Sequence, residues 1–315
     1  MIRVVVIGVG QLGSRHLQGI KKSRLKLEIW AIDSDKHSLE IAKERFEQVL
    51  QVVDKKIHYA DSLDVLPGEL DIVIVATSSK PRAAIINNLL CSRQVKFMIL
   101  EKFLFTKLSD YDQVERLLVQ TNTLVFVNTP RRLWSGYQEI KGKLNSDSPI
   151  HLVYQGSKWG LCCNSIHFFD LFQYLTGSDN FAVDVSELLP SIQQSKRVGY
   201  IELNGTILIT TERGDVLTLT CHNDAPSLMV LEQDNLSIVI DEGKNEYLIN
   251  GKAYNLGVKY QSDLTGVVVD DLLTIGRCDL PTYELSANLH KLFLTQILSF
   301  VNQLQGTYQD NCPIT

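Results

Sequence analysis

Ile2-Arg3-Val4-Val5-Val6-Ile7-Gly8-Val9-Gly10-Gln11-Leu12-Gly13 decides the fold of this chain. Its first half is a β-branched apolar run, the composition of a strand buried on both faces. Its second half is G-x-G-x-x-G. A buried strand running through that pattern into a helix brings bare backbone amides against a pyrophosphate. Gly8 allows the tight turn, Gly10 lets the backbone approach the phosphates, and Gly13 lets helix and strand pack closely. Gln11 and Leu12 belong to the same cradle.

The pattern alone is weak, and its context strengthens it. Leu27-Glu28-Ile29-Trp30-Ala31-Ile32 reads as the next parallel strand and ends at Asp33, twenty residues after Gly13. A carboxylate there accepts hydrogen bonds from both ribose hydroxyls of an adenosine and repels a 2′-phosphate. Ser34, Asp35 and Lys36 follow, with no arginine, so NAD is expected rather than NADP. The alternative makes Asp33 a helix cap, a position for which Asp35 is better placed.

At 315 residues, 44% of them hydrophobic, the chain is long enough for two packed domains. Its net charge of −5 and lack of a basic run argue against nucleic acid or an anionic membrane as partner. Met1 leads directly into the first core strand, and no apolar stretch has the length of a membrane span, so a cytoplasmic protein is expected. Cys91, Cys162, Cys163, Cys221, Cys278 and Cys312 lack zinc-like spacing and read as reduced thiols; no metal site is expected.

Strand and helix alternate through the first ~125 residues in the manner of an open parallel sheet. Strands are expected at 71–76, 96–100 and 124–127, with helices near 36–48, 81–92 and 111–121. From about residue 130 the grammar changes. A helix at 165–175 is followed by alternating segments at 206–211, 216–221, 236–240 and 247–249, with turns at Arg213-Gly214-Asp215 and Asn250-Gly251. An α/β chain follows: a doubly wound domain over 1–128, then an α+β domain over 129–315 with a mainly antiparallel open sheet. The amphipathic helix at about 286–305 is a candidate to pack back on the first domain.

Ligands of open α/β sheets sit at the carboxyl ends of the strands. Here those ends carry Gly8–Gly13, the segment Thr77-Ser78 to Arg82, and Glu101-Lys102. Lys102 is therefore a candidate for chemistry beside a nicotinamide; the alternative is an ordinary snorkelling surface lysine.

These residues, with Ala76-Thr77 and the later Asn164-Ser165-Ile166-His167-Phe168-Phe169-Asp170, resemble the glucose–fructose oxidoreductase / inositol dehydrogenase family over nearly the whole chain. The resemblance implies a Rossmann domain followed by a domain whose open sheet face assembles dimers or tetramers. It implies an NAD-dependent dehydrogenase or reductase of sugars, polyols or sugar nucleotides, with Lys102 and His167 binding the reacting hydroxyl and moving its proton. His167 also fits as a hydrogen-bonded core histidine.

Two departures from the family pattern stand out. Phe103 replaces the usual proline after the lysine, and a Lys-Phe bond is expected to be trans, so Lys102 is expected to be positioned differently. Cys163 replaces an aspartate four residues before His167, one turn away on the same helix face. Asn164 could hold the imidazole without charge.

Arg131, Arg132, Trp134, Lys158, Trp159, Asn164, Asp170, Tyr260 in a late loop, and Tyr283 are candidate substrate contacts. Cations with aromatics suit a polyhydroxylated ligand, anionic or not, such as a sugar acid or nucleotide sugar. Salt-bridged arginines and core tryptophans are the competing reading. Rival functions are a catalytically silent, NAD-binding ligand sensor that acts on a protein partner, and a reductase of a non-sugar substrate.

Overall fold

Six parallel strands form the first sheet: β1 (Ile2–Ile7), β2 (Leu27–Ile32), β3 (Lys56–Ala60), β4 (Glu69–Val75), β5 (Gln94–Leu100) and β6 (Leu124–Val127). In this computed structural model, which describes residues 1–50 and 52–315, their order is β3-β2-β1-β4-β5-β6. Four helices connect them: α1 (Gly13–Lys21), α2 (Lys36–Glu47), α3 (Ser79–Ser92) and α4 (Leu108–Thr121). Val4 pairs with Ile29 on one side and Ile72 on the other, and Val4, Val5 and Val6 have no exposure. Strands covered on both faces must be apolar throughout, which is why this sheet was so legible. The edge strand β3 was missed; its residues are only half-buried and alternate weakly.

The second sheet has eight strands. They are β7 (His151–Gly156), β8 (Ala182–Asp184), β11 (Gly205–Thr210), β12 (Val216–Cys221), β13 (Leu228–Gln233), β14 (Leu236–Asp241), β15 (Glu246–Ile249) and β16 (Lys252–Asn255). A short pair, β9 (Gln193–Gln194) and β10 (Ile201–Glu202), stands apart. The order β16-β15-β14-β13-β7-β12-β11-β8 is antiparallel everywhere except between β7 and β12. Both expected hairpin turns form: Gly214 has φ +93°, and Asn250-Gly251 have φ +51° and +75°. Helices α5 (Ser135–Lys141) and α6 (Leu161–Thr176) belong to this unit. Helix α6 begins four residues earlier than expected. Gly160 enters it with φ +78°, and the Glu202 carboxylate accepts from the amides of Cys162 (2.8 Å) and Cys163 (3.2 Å).

The chain divides into two compact units, and their boundaries differ from the single cut after residue 128. Unit one is Met1–Phe105, Ser109–Asn128 and Lys259–Tyr283; unit two is the remainder. The segment that returns to the Rossmann unit is therefore α7 (Gln261–Ile275), not the 286–305 helix, which is α8 (Tyr283–Gln305) and groups from Glu284 onward with unit two. Helix α7 escaped notice because Thr265-Gly266-Val267-Val268-Val269 reads as strand by propensity. Packing overrides propensity here. A Cβ on Gly266 would lie 2.4 Å from the carbonyl oxygen of Gly19, and a Cβ on Gly19 would lie 2.8 Å from Thr265, so two glycines let α1 and α7 touch backbone to backbone.

Candidate active site

The glycine loop closes as its residue types require. Gly8 has φ +84°, and a Cβ there would meet Thr77 at 2.8 Å. A Cβ on Gly13 would lie 1.9 Å from the oxygen of Gly8, whereas one on Gly10 would meet nothing within 4 Å. The loop is thus jammed against its own strand on one side and open on the other. That open side is the cradle a diphosphate needs at a helix start, where the first amides lack intrahelical acceptors.

Asp33 ends β2 half-exposed, with Oδ2 accepting from the Val9 amide at 2.8 Å and Oδ1 from the Asp35 amide at 3.0 Å. The helix cap is Asp35, which accepts from the amides of His37 and Ser38, so Asp33 is left beside the loop. Hydrogen bonds from the Ser38 hydroxyl and the His37 amide hold the Asp35 carboxyl below its ordinary range.

A residue that the sequence did not single out completes this corner. Arg45, from α2, donates to the carbonyl of Gln11 (3.3 Å), to Gln11 Oε1 (2.8 Å) and to Ser14 Oγ (2.7 Å). Ser14 Oγ in turn donates to the Gly10 carbonyl at 2.8 Å. A guanidinium therefore braces the loop from behind and adds positive charge near it. Nothing local marks Arg45, since its partners lie over thirty residues upstream.

Two further expectations for cofactor contact are corrected. Arg82 is 1% exposed and donates to the carbonyls of Thr77, Phe103 and Leu104, so its guanidinium braces the segment after β5 and does not face the loop. Glu101 is 3% exposed, with Oε1 2.9 Å from His16 Nε2 and accepting also from Asn128 Nδ2, and so points inward. Ser78 is the N-cap residue of α3, and Thr77 packs beneath Gly8. Lys102 is half-buried, and its bond to Phe103 is cis, contrary to the expectation of a trans bond. Phe103, Leu104 and Phe105, all fully buried, fix the chain that follows, together with Arg82.

In unit two, Arg131 and Arg132, two of the cations expected to meet an anionic substrate, are paired internally. Arg131 forms a bidentate pair with Glu242 at 2.6 and 2.7 Å, with its guanidinium 4.4 Å from the Phe168 ring centre. Tyr137 donates to the same carboxylate at 2.7 Å. Burial works against both charges, yet the pairing wins: Arg131 is held above its ordinary pKa and Glu242 below. Arg132 is paired with Asp170 at 3.0 and 2.7 Å and with Gln173 at 3.1 Å. Burial raises the Asp170 carboxyl, and Arg132 offsets this only in part.

Helix α6 carries half-buried His167, with Cys163 one turn before it. Asn164 Nδ2 donates to the Trp159 carbonyl at 2.6 Å, fixing the turn into the helix. Trp159 donates to the Thr220 carbonyl at 2.9 Å and meets Tyr154 and Phe168 edge-on, at 4.9 and 5.5 Å between ring centres. Tyr154, Trp159, Phe168 and the Arg131–Glu242 pair thus form one aromatic and polar cluster. Tyr260 ends the loop that leads into α7, as expected, and is the 75% exposed N-cap residue of that helix. Tyr283 is buried and donates to the carbonyl of Tyr111 at 3.0 Å, so it offers nothing to a ligand.

No helix among the described residues is long and apolar enough to cross a membrane. A search of curated protein sequences finds no match. Residues 2–129 match the model of the oxidoreductase family with the NAD-binding Rossmann fold. Solved structures match almost end to end. An oxidoreductase from Agrobacterium radiobacter, in complex with NAD+, L-tartaric acid and magnesium, is similar with TM-score 0.71 and 14% identity, covering 96% of this chain and 97% of that one. The UDP-N-acetylglucosamine 3-dehydrogenase of Acidithiobacillus ferrooxidans gives 0.70 and 16%, over 94% and 96%. The biliverdin reductase of Synechocystis, in complex with biliverdin and NADP+, gives 0.67 and 15%, over 95% and 98%. At such identities these neighbours show the fold of both units. Through residues 2–129 the chain is thus similar to the oxidoreductase family with the NAD-binding Rossmann fold, and both of its units share the fold of these solved oxidoreductases.

Proposed function

We propose that this protein is an NAD-dependent dehydrogenase or reductase acting on a carbinol or carbonyl carbon of a sugar, polyol or sugar nucleotide. The observation that carries the reading is the glycine loop open above Gly10, with the Asp33 carboxylate bonded across it to Val9. The adenosine ribose would lie against Asp33 and the diphosphate against residues 10–13. Arg45 faces Gln11 and Ser14, and no basic side chain follows Asp33 until Lys36, which favours NAD over NADP.

When bound, the nicotinamide supplies a hydride acceptor or donor. Lys102 holds and polarises the substrate oxygen, and His167 exchanges its proton with solvent; proton transfer of this kind contributes about 10²–10⁴-fold. With Arg131 and Arg132 both paired, the case for an acidic substrate that rested on them falls away, and a neutral polyhydroxylated ligand fits the aromatic cluster of Trp159, Tyr154 and Phe168 better. Similarity to the UDP-N-acetylglucosamine 3-dehydrogenase supports a sugar carbinol as the reacting group.

Copies associate through the second sheet in this reading. Leu208, Thr218, Val153, Val230, Val239 and Leu248 form one row across six strands, and none of them is buried. Light scattering on the protein checks this: a monomer at all concentrations would overturn it.

The function is tested by calorimetric titration with NAD+ and NADP+, then by following reduced-nicotinamide absorbance against a panel of polyols, sugars and nucleotide sugars. Tighter binding of NAD+ and turnover lost in Lys102→Ala, with NAD+ affinity retained, is the expected result. Tight NAD+ binding without turnover on any member of the panel would instead favour the ligand sensor.

A further inference from the structure

We propose that His16 is a positioning residue for Lys102, acting through Glu101; the inference deepens the reading of Lys102 just given and rests on it. His16 is fully buried on α1, three residues after Gly13, and no step of the chemistry uses it. Its two ring nitrogens are both engaged, Nε2 at 2.9 Å from Glu101 Oε1 and Nδ1 at 3.0 Å from Thr265 Oγ1.

These contacts are part of a closed ring. Asn128 Nδ2 donates to Glu101 Oε1 and also lies 2.8 Å from Gln261 Oε1. Gln261 Nε2 donates to Thr265 Oγ1 at 2.7 Å, and Thr265 returns to His16. Five side chains from α1, the ends of β5 and β6, and α7 thus close on one another within unit one. Glu101, Asn128 and Thr265 are each at most 5% exposed.

The ring does more than fill space. A buried carboxylate without donors is costly, so Glu101 is stable only in the rotamer that meets both His16 and Asn128. Glu101 is the residue directly before Lys102, and fixing its side chain fixes the peptide plane from which Lys102 departs. His16 sits on the helix that starts at the glycine loop. The same imidazole therefore ties the position of the lysine to the helix whose first turn cradles the cofactor. A histidine placed only to fill the core would need neither the shared Glu101 oxygen nor a ring that closes.

The test uses the full chain and needs no knowledge of the substrate. Lys102 is labelled with trinitrobenzenesulfonate, its modification rate is read by peptide mass spectrometry, and NAD+ affinity is read by fluorescence quenching. His16→Ala is expected to change the Lys102 rate about tenfold, on the scale by which small misplacements of a reactive group act, while leaving the other lysines unchanged. His16→Gln, which keeps one N–H for Glu101, is expected to restore most of the wild-type rate. Thr265→Val opens the ring without removing His16 and guards against a misfolded alanine variant; it should shift the Lys102 rate in the same direction as His16→Ala.

Unchanged Lys102 labelling in the folded variants overturns the inference, as does equal acceleration at all lysines. If Lys102→Ala keeps turnover while the labelling shifts as expected, the catalytic reading of Lys102 fails and its positioning by His16 stands.

Discussion

Arg45 and Glu242 show how much a single side chain can hold in place. Arg45 braces Gln11 and Ser14 behind the glycine loop. Arg45→Ala is expected to weaken NAD+ about tenfold, or about 1.4 kcal/mol, by releasing a loop otherwise set in its binding shape. Calorimetry checks this, and the variant should unfold at nearly the wild-type urea midpoint. Glu242 is the carboxylate that pairs directly with Arg131, so Glu242→Ala leaves a half-buried guanidinium without its bidentate partner. A loss of about 2–3 kcal/mol in urea unfolding is expected, the partly exposed guanidinium keeping some contact with water. The residues legible in the sequence were those whose role is local: Gly8, Gly13 and Asp33 act on neighbours brought close by one strand-turn-helix unit. Arg131 misled because its partner lies 111 residues away, and spacing carries no trace of such a pair. Arg82 and Glu101 misled for a related reason: their positions at strand ends were right, but side-chain direction is set by tertiary partners.

At the scale of elements, the parallel strands announced themselves by apolar runs, while α7 did not announce itself at all. Its residues prefer extended structure, and only the glycine contact with α1 makes the helix the better choice. Gly266→Ala is therefore expected to cost about 1–3 kcal/mol by overpacking, despite the better helix propensity of alanine. Gly68→Ala, where an added Cβ meets nothing within 4 Å, serves as the control in the same urea series and should change the midpoint little. Helix α6 was seen but started late, because its cap is the carboxylate of Glu202, some forty residues downstream, and not a neighbouring serine or aspartate.

For the whole molecule, acid should be the weak side. Glu242 keeps its lowered pKa because Arg131 outweighs burial. Asp215 keeps its own because bonds from Arg213, Thr211 and the Ile150 amide outweigh burial. Carboxyls held below their unfolded values stabilise the fold above about pH 4 and lose that contribution as pH falls through the folded values. Urea midpoints measured between about pH 4 and pH 2 should fall, and Asp215→Asn should flatten the fall; an unchanged slope would contradict the assignment.

The return of α7 to unit one has a consequence for how the polypeptide is made. A ribosome adds about 5–20 residues per second, and β6 emerges well before α7 is synthesised. For several seconds the nascent Rossmann sheet waits with the Gly19 face of α1 uncovered and His16 lacking Thr265. A nascent chain arrested at residue 128 should be cut readily by protease, and one extended through residue 283 should resist. Synthesis order thus makes the nucleotide-binding half, though first off the ribosome, among the last parts to finish folding.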